Sequence, residues 1–201
     1  MTTGSTDSLL PDNPFAAPSE LPFGLPPFAR IRPEHYQPAF EAGMTEQRAE
    51  IEAIATSSAP ATVANTLEAL ERSGRLLQRV SQVFFNLTSA SATAAPRLST
   101  HSDAVYLDRR LFARVDALHA RRDELEPGGE DQRLLDRYHK DFVRAGAGLD
   151  DAEQERLRAI NAELAGLTTT SRNDPLTPTV GLAVHASDRA ELDGLSDGEI
   201  A

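Results

Sequence analysis

The sequence predicts a mainly α protein: a bundle-like set of antiparallel helices preceded by a proline-rich extended arm. Three observations carry that prediction. Eight of the 13 prolines fall within the first forty residues. From Pro33 onward, apolar residues recur at the three- and four-residue spacing that places them on one helix face. Gly and Pro clusters then interrupt the pattern at intervals suited to short connections between helices.

The elements follow in order. Residues 1–12 read as a disordered tail. Prolines 14, 18, 22, 26 and 27 exclude regular helix from residues 13–32, because each lacks a donor and restrains its neighbour. Phe15, Leu21, Phe23, Leu25, Phe28 and Ile31 are too many large apolar groups for a linker, so this arm is expected to lie extended across a surface. A helical domain is expected over residues 33–170. Pro33 suits a first helical position, and Pro38 is tolerated nearby. Tyr36, Phe40, Met44, Ile51 and Ile54 mark the first helix. Thr62 or Asn65 can cap a second, whose stripe is Leu67, Leu70, Leu77, Val80, Phe84 and Leu87. Gly74 within it is a weak point, costing about 1 kcal/mol against Ala, and is read as no stop.

A third helix is expected near Pro96–Leu107. Asp108 caps the next, with Leu111, Phe112, Val115 and Leu118 inward and an end near Leu125. Pro127-Gly128-Gly129 is a break. The following helix begins at Glu130 and is closed by Gly146 and Gly148. Asp150 with Glu153 reads as a capping box that opens a last helix, with Leu157, Ile160 and Leu164 on one face. Residues 171–201 read as irregular: Pro175 and Pro178 exclude a continuous helix, Val180–Ala186 suits a short strand, and Ser196 with Glu199 forms a helix start near the end of the sequence.

Composition excludes several functions. The formal net charge of -11 has the wrong sign for nucleic acid or an anionic membrane surface. Cys is absent, so disulfides and thiolate metal sites are excluded. The first residues lack a basic segment and an apolar core, so no signal peptide is read and a cytoplasmic location is expected. Asn86-Leu87-Thr88 matches a glycosylation sequon but without a signal peptide carries no meaning.

Chemistry-bearing residues concentrate in RYHKDF, residues 137–142. On a helix each side chain turns about 100° from the last, so Tyr138, His139, Lys140 and Asp141 radiate rather than converge. Tyr138 is expected at the core edge with Leu134, Leu135 and Phe142; His139, Lys140 and Asp141 are expected on the solvated side. The five histidines (His35, His101, His119, His139 and His185) include no two at helical-ligand spacing. His119 and Asp123 form an i,i+4 pair read as solvent-facing, and His35 is read as a surface residue. No G-x-S-x-G elbow accompanies the serines, and Gly146-x-Gly148 lacks the strand and third glycine of a nucleotide loop. No residue is assigned as catalytic, cofactor-binding or metal-ligating.

Five blocks in order then carry a resemblance. NPFAAPSELPFGLPPFARIRPEHYQPAFEAGMTEQRAEIEAIA, NTLEALERSGRLLQRVSQVFFNLTSA, HSDAVYLDRRLFARVDAL, RLLDRYHKDFVRAGAGLD and RLRAINAELAGL resemble the N-terminal region of the thimet oligopeptidase-like zinc metallopeptidases. The closer likeness is to their peptidyl-dipeptidase and oligopeptidase A branch, over residues 13–201. The resemblance implies one lobe of a two-lobed, mostly helical enzyme that cleaves short peptides in a channel between lobes. It implies zinc held by H-E-x-x-H and a further Glu, none of which has a counterpart here. The expected function is therefore a truncated, non-catalytic N-terminal segment, inactive alone. Its alternatives are a stand-alone helical peptide-binding module and one half of a split peptidase completed in trans by a C-terminal catalytic half. Residues 88–100 and 170–186 depart from the family pattern, the first by a shorter connection and the second by its prolines.

Overall fold

A computed structural model of the chain describes residues 9–87 and 94–173. The expected strand, the Ser196–Glu199 helix start, residues 88–93 and 174–186 of the two departing stretches, and most of the expected tail lie outside those residues.

The described residues form helices and turns. Helix α1 runs Pro33–Ala55, entered with the His35 imidazole Nδ1 accepting from the Arg32 N–H at 3.0 Å. A single π-helical turn at Val63–Leu67 leads into α2, Glu68–Arg72. Then follow α3, Arg75–Leu87; α4, Ala94–Tyr106; α5, Arg109–His119; α6, Glu130–Ala145; and α7, Asp151–Asn173. Short 3-10 turns at Pro22–Gly24, Phe28–Arg30 and Arg122–Glu124 complete the path.

The caps explain most boundaries. Thr62 accepts from the Asn65 N–H at 3.1 Å, and Asn65 accepts from the Thr62 N–H at 2.9 Å, so the two candidate caps act as one box. Asp108 accepts from the N–H groups of Arg110 and Leu111. Asp150 and Glu153 exchange the bonds expected of them, at 2.9 and 3.1 Å. Gly146 closes α6 in the left-handed conformation, φ 93°.

Two expectations are corrected, and a third element is seen to be open. Gly74 is a stop: with φ +67° it separates α2 from α3, and its N–H donates to Glu50 at 2.7 Å. A Cβ there would lie 2.5 Å from the end of the Gln47 side chain, which would have to swing aside, and the left-handed φ favours glycine. Helix α5 ends at His119, with the next residues in a 3-10 turn rather than continuing to Leu125. The apolar stripe of α7 is exposed, Ile160 by 43%, Leu164 by 54% and Leu167 by 56%.

Pairwise contacts fix the topology. Residues that meet between α1 and α3 (Phe40 with Phe84, Gly43 with Leu77) run in opposite order, so these helices are antiparallel. The same holds for α5 and α6, through Phe112 with Phe142 and His119 with His139. Helix α7 returns along α4, with Asn161 donating to Asp103 at 2.8 Å. Two cores result. One gathers Phe15, Phe40, Met44, Leu77, Val80 and Phe84; the other gathers Ile51, Ile54, Leu67, Leu70, Leu111, Val115, Leu135 and Phe142. The Gly74 break assigns the expected single stripe to both: Leu67 and Leu70 serve one core, Leu77, Val80 and Phe84 the other.

The proline-rich segment is anchored at Phe15. Phe15 is buried against Tyr36, and its carbonyl accepts two bonds from Arg79 at 3.0 and 3.2 Å. Beyond it, Leu21, Leu25 and Phe28 are about half exposed and Phe23 is fully exposed.

Candidate functional site: the cleft between α1 and α4

Helices α1 and α4 lie side by side with few direct contacts, and an open cleft of about 1010 Å³ remains between them. Glu41, Thr45 and Arg48 face it from α1 at helical spacing; Arg97, Thr100 and His101 face it from α4. One ion pair spans it, Arg97 to Glu41 at 2.8 Å. Hydrogen bonds from Arg97 and then Gln37 hold the Glu41 carboxyl below its ordinary range. Arg48 donates to the Thr45 hydroxyl at 3.2 Å.

His101 is the buried member, 6% exposed. Its Nε2 lies 2.7 Å from Gln47 Oε1, and its Nδ1 is buried with no partner. Burial first, and the Arg48 charge second, push its pKa down, so the ring is neutral near pH 7. With the proton on Nε2 it donates to Gln47, and Nδ1 keeps an acceptor lone pair free. Gln47 also lies beside the helix break, its Nε2 3.5 Å from the Ser73 hydroxyl. On the far side of His101 a smaller space of about 240 Å³ opens onto Leu70, Leu77, Val105 and Phe142.

The sequence-marked residues scatter as helical geometry requires. Tyr138 donates to Glu71 at 2.7 Å, and Arg137 donates to the same oxygen. Burial, then Glu71, pushes the phenol pKa up, which leaves it an unreactive donor. Lys140 is exposed. His139 departs from expectation: it is half-buried, stacked on His119 with ring centroids 3.8 Å apart, and bonded to Asp116 at 3.0 Å. His119 faces Asp136 at 3.5 Å rather than Asp123, which lies 3.7 Å from Arg122. His35 serves the α1 start. Gly146 and Gly148 end one helix ahead of the next, as their spacing suggests.

Two features escaped the sequence. The His119–His139 stack joins residues on different helices, each ten positions from Gly129, so pairing across the α5–α6 hairpin is the signal that could have found it. Arg114 faces inward from α5, 9% exposed, and donates to the carbonyls of Ser57 and Ala59 and to Asn65, each at 2.9 Å. Its place on the inward stripe beside Leu111 and Leu118 was visible, but the carbonyls it serves were not.

Among the described residues no three His, Asp or Glu side chains come together as metal ligands. The stacked imidazoles face one another, and their Nε2 atoms already meet Asp136 and Asp116, so they do not fit a zinc site. Nor is any described helix long and apolar enough to cross a membrane.

No family model matches the chain. Individual relatives do. It is 39% identical over 198 residues to dipeptidyl carboxypeptidase of Escherichia coli, a match covering 94% of this chain. Its likeness to the Salmonella typhimurium dipeptidyl carboxypeptidase is also 39%, and to Escherichia coli oligopeptidase A 28% over 193 residues. The chain belongs to the N-terminal region of this metallopeptidase family. It spans only 29% of the length of the dipeptidyl carboxypeptidases and 28% of oligopeptidase A. The fold agrees with that membership: a helical bundle-like region, with the described residues in helices and turns.

Proposed function

We propose that the chain is the non-catalytic N-terminal segment of a zinc metallo-oligopeptidase of the peptidyl-dipeptidase type, acting on short peptides. The observation that carries this reading is the match itself: it covers 94% of the chain, yet only 29% of a dipeptidyl carboxypeptidase. In this reading residues 33–170 form a wall of the helical lobe, and no residue of this chain is catalytic or a zinc ligand. Zinc and the hydrolytic residues belong to the remaining polypeptide, continuous with this chain or supplied in trans as a split enzyme. A cytoplasmic location is part of the same proposal and is supported by the absence of Cys.

The test compares two preparations. The purified chain is expected to cleave no short peptide and to retain no stoichiometric zinc. Grafted in place of the matched region of the Escherichia coli dipeptidyl carboxypeptidase, it is expected to support hydrolysis. Zinc-dependent cleavage by the isolated chain would refute the reading.

A second reading, a stand-alone peptide-binding module, draws support from the α1–α4 cleft and the unpartnered Nδ1 of His101. It requires saturable binding of a short peptide to the isolated chain, with the His101 ring resonances shifting. Unchanged resonances at millimolar peptide would remove it.

A further inference from the structure

Phe23 is the most anomalous residue described. Its side chain is fully exposed, and its backbone has φ 60°, the sole positive φ among described non-glycine residues. An L-residue is strained in that conformation, and a phenyl ring in water gains nothing there. Yet the turn that imposes it is well made. The Gly24 N–H donates to the Leu21 carbonyl at 2.9 Å. The Ser19 hydroxyl donates to the Leu25 carbonyl at 2.6 Å and accepts from the Leu21 N–H at 3.2 Å. Pro22, Pro26 and Pro27 restrict the flanks. Leu21, Leu25 and Phe28 stand about half exposed around it. No charged residue lies between Glu20 and Arg30.

We propose that the Leu21–Leu25 turn is a preformed knob that seats Phe23 in an apolar slot on the remaining polypeptide of the longer family protein. This rests on the reading given under Proposed function. Three observations favour that occupant. The matched relatives are more than three times the length of the matched region, so most of their polypeptide lies outside it. The match leaves about a dozen residues of this chain unpaired, fewer than precede the turn, so the knob falls inside the shared region. A second copy is disfavoured because each chain carries a formal charge of -11. The knob is convex, whereas small-ligand sites are concave, so it suits a macromolecular surface rather than a peptide substrate.

The experiment uses Phe23→Gly, which removes the ring and relieves the backbone together. In the isolated 201-residue chain the urea midpoint is expected to hold or rise. Association with the separately produced remainder of the Escherichia coli dipeptidyl carboxypeptidase, measured by sedimentation, is expected to weaken at least about tenfold, as for a buried aromatic anchor. Should that remainder not fold alone, the graft decides: Phe23→Gly must lower its melting temperature while not lowering that of the isolated chain. Equal association, or changes of the same sign in both contexts, would overturn the proposal. So would a wild-type chain that self-associates through Phe23. Peptide hydrolysis separates the two readings. A graft equally stable and active with Gly at this position keeps the proposed function and loses the knob, whereas a folded but inactive wild-type graft loses the function.

Discussion

Arg114 ties the loop after α1 to α5 by donating to two backbone carbonyls and an amide oxygen while almost wholly buried. Truncating it would leave those carbonyls without partners in a dry environment. Arg114→Ala is expected to cost about 2–4 kcal/mol in urea unfolding, and Arg114→Lys to recover only part, because an ammonium cannot span the same acceptors. His101 gives a residue-scale dependence on pH. Its folded pKa lies below the ordinary imidazole value of 6.5, so the unfolded chain binds the extra proton first. Its contribution is complete above about pH 6.5 and declines as acid charges the ring against burial and the Arg48 guanidinium. Stability at pH 5.5 should therefore fall relative to pH 7.5, and the His101→Gln variant should lose part of that difference. An unchanged acid slope in the variant would remove His101 as its source.

At the scale of elements, Gly74 separates what the chain's pattern joins. Gly74→Ala is expected to destabilise by about 1–3 kcal/mol, since the new methyl meets both a left-handed φ and the Gln47 amide. Asp108→Ala should cost about 1 kcal/mol through the two N–H groups it caps on α5, with equilibrium unfolding as the readout. Helix starts were legible because Thr62, Asp108 and Asp150 announce them with short-range chemistry. The Gly74 break was not, because its cause is Glu50 and Gln47, more than twenty residues away. The same distance hid the cleft. Nothing in the sequence singles out Glu41, Thr45 and Arg48, which gain a setting only because α4 brings Arg97 and His101 opposite them. The α7 stripe shows a further limit: periodicity reveals which residues share a face, but not whether anything covers it.

For the whole molecule the contrast between buried and exposed leucines is the sharpest test of the packing. Leu135 of α6 is fully buried in the core with Leu67, Leu111 and Val115, and Leu135→Ala is expected to cost about 2–5 kcal/mol. Leu164→Ala on the exposed side of α7 should change stability by less than about 0.5 kcal/mol in the isolated chain. A large loss at Leu164 would show that another part of the chain lies over α7. Helix α1 contributes buried residues to both cores, its first half through Phe40 and Met44 and its second through Ile51 and Ile54. Neither side can open without stripping one half of α1 of its support. The amide protons midway along it, from Gly43 to Ile51, should thus exchange with deuterium only when the whole bundle opens, and serve as a clock for global unfolding.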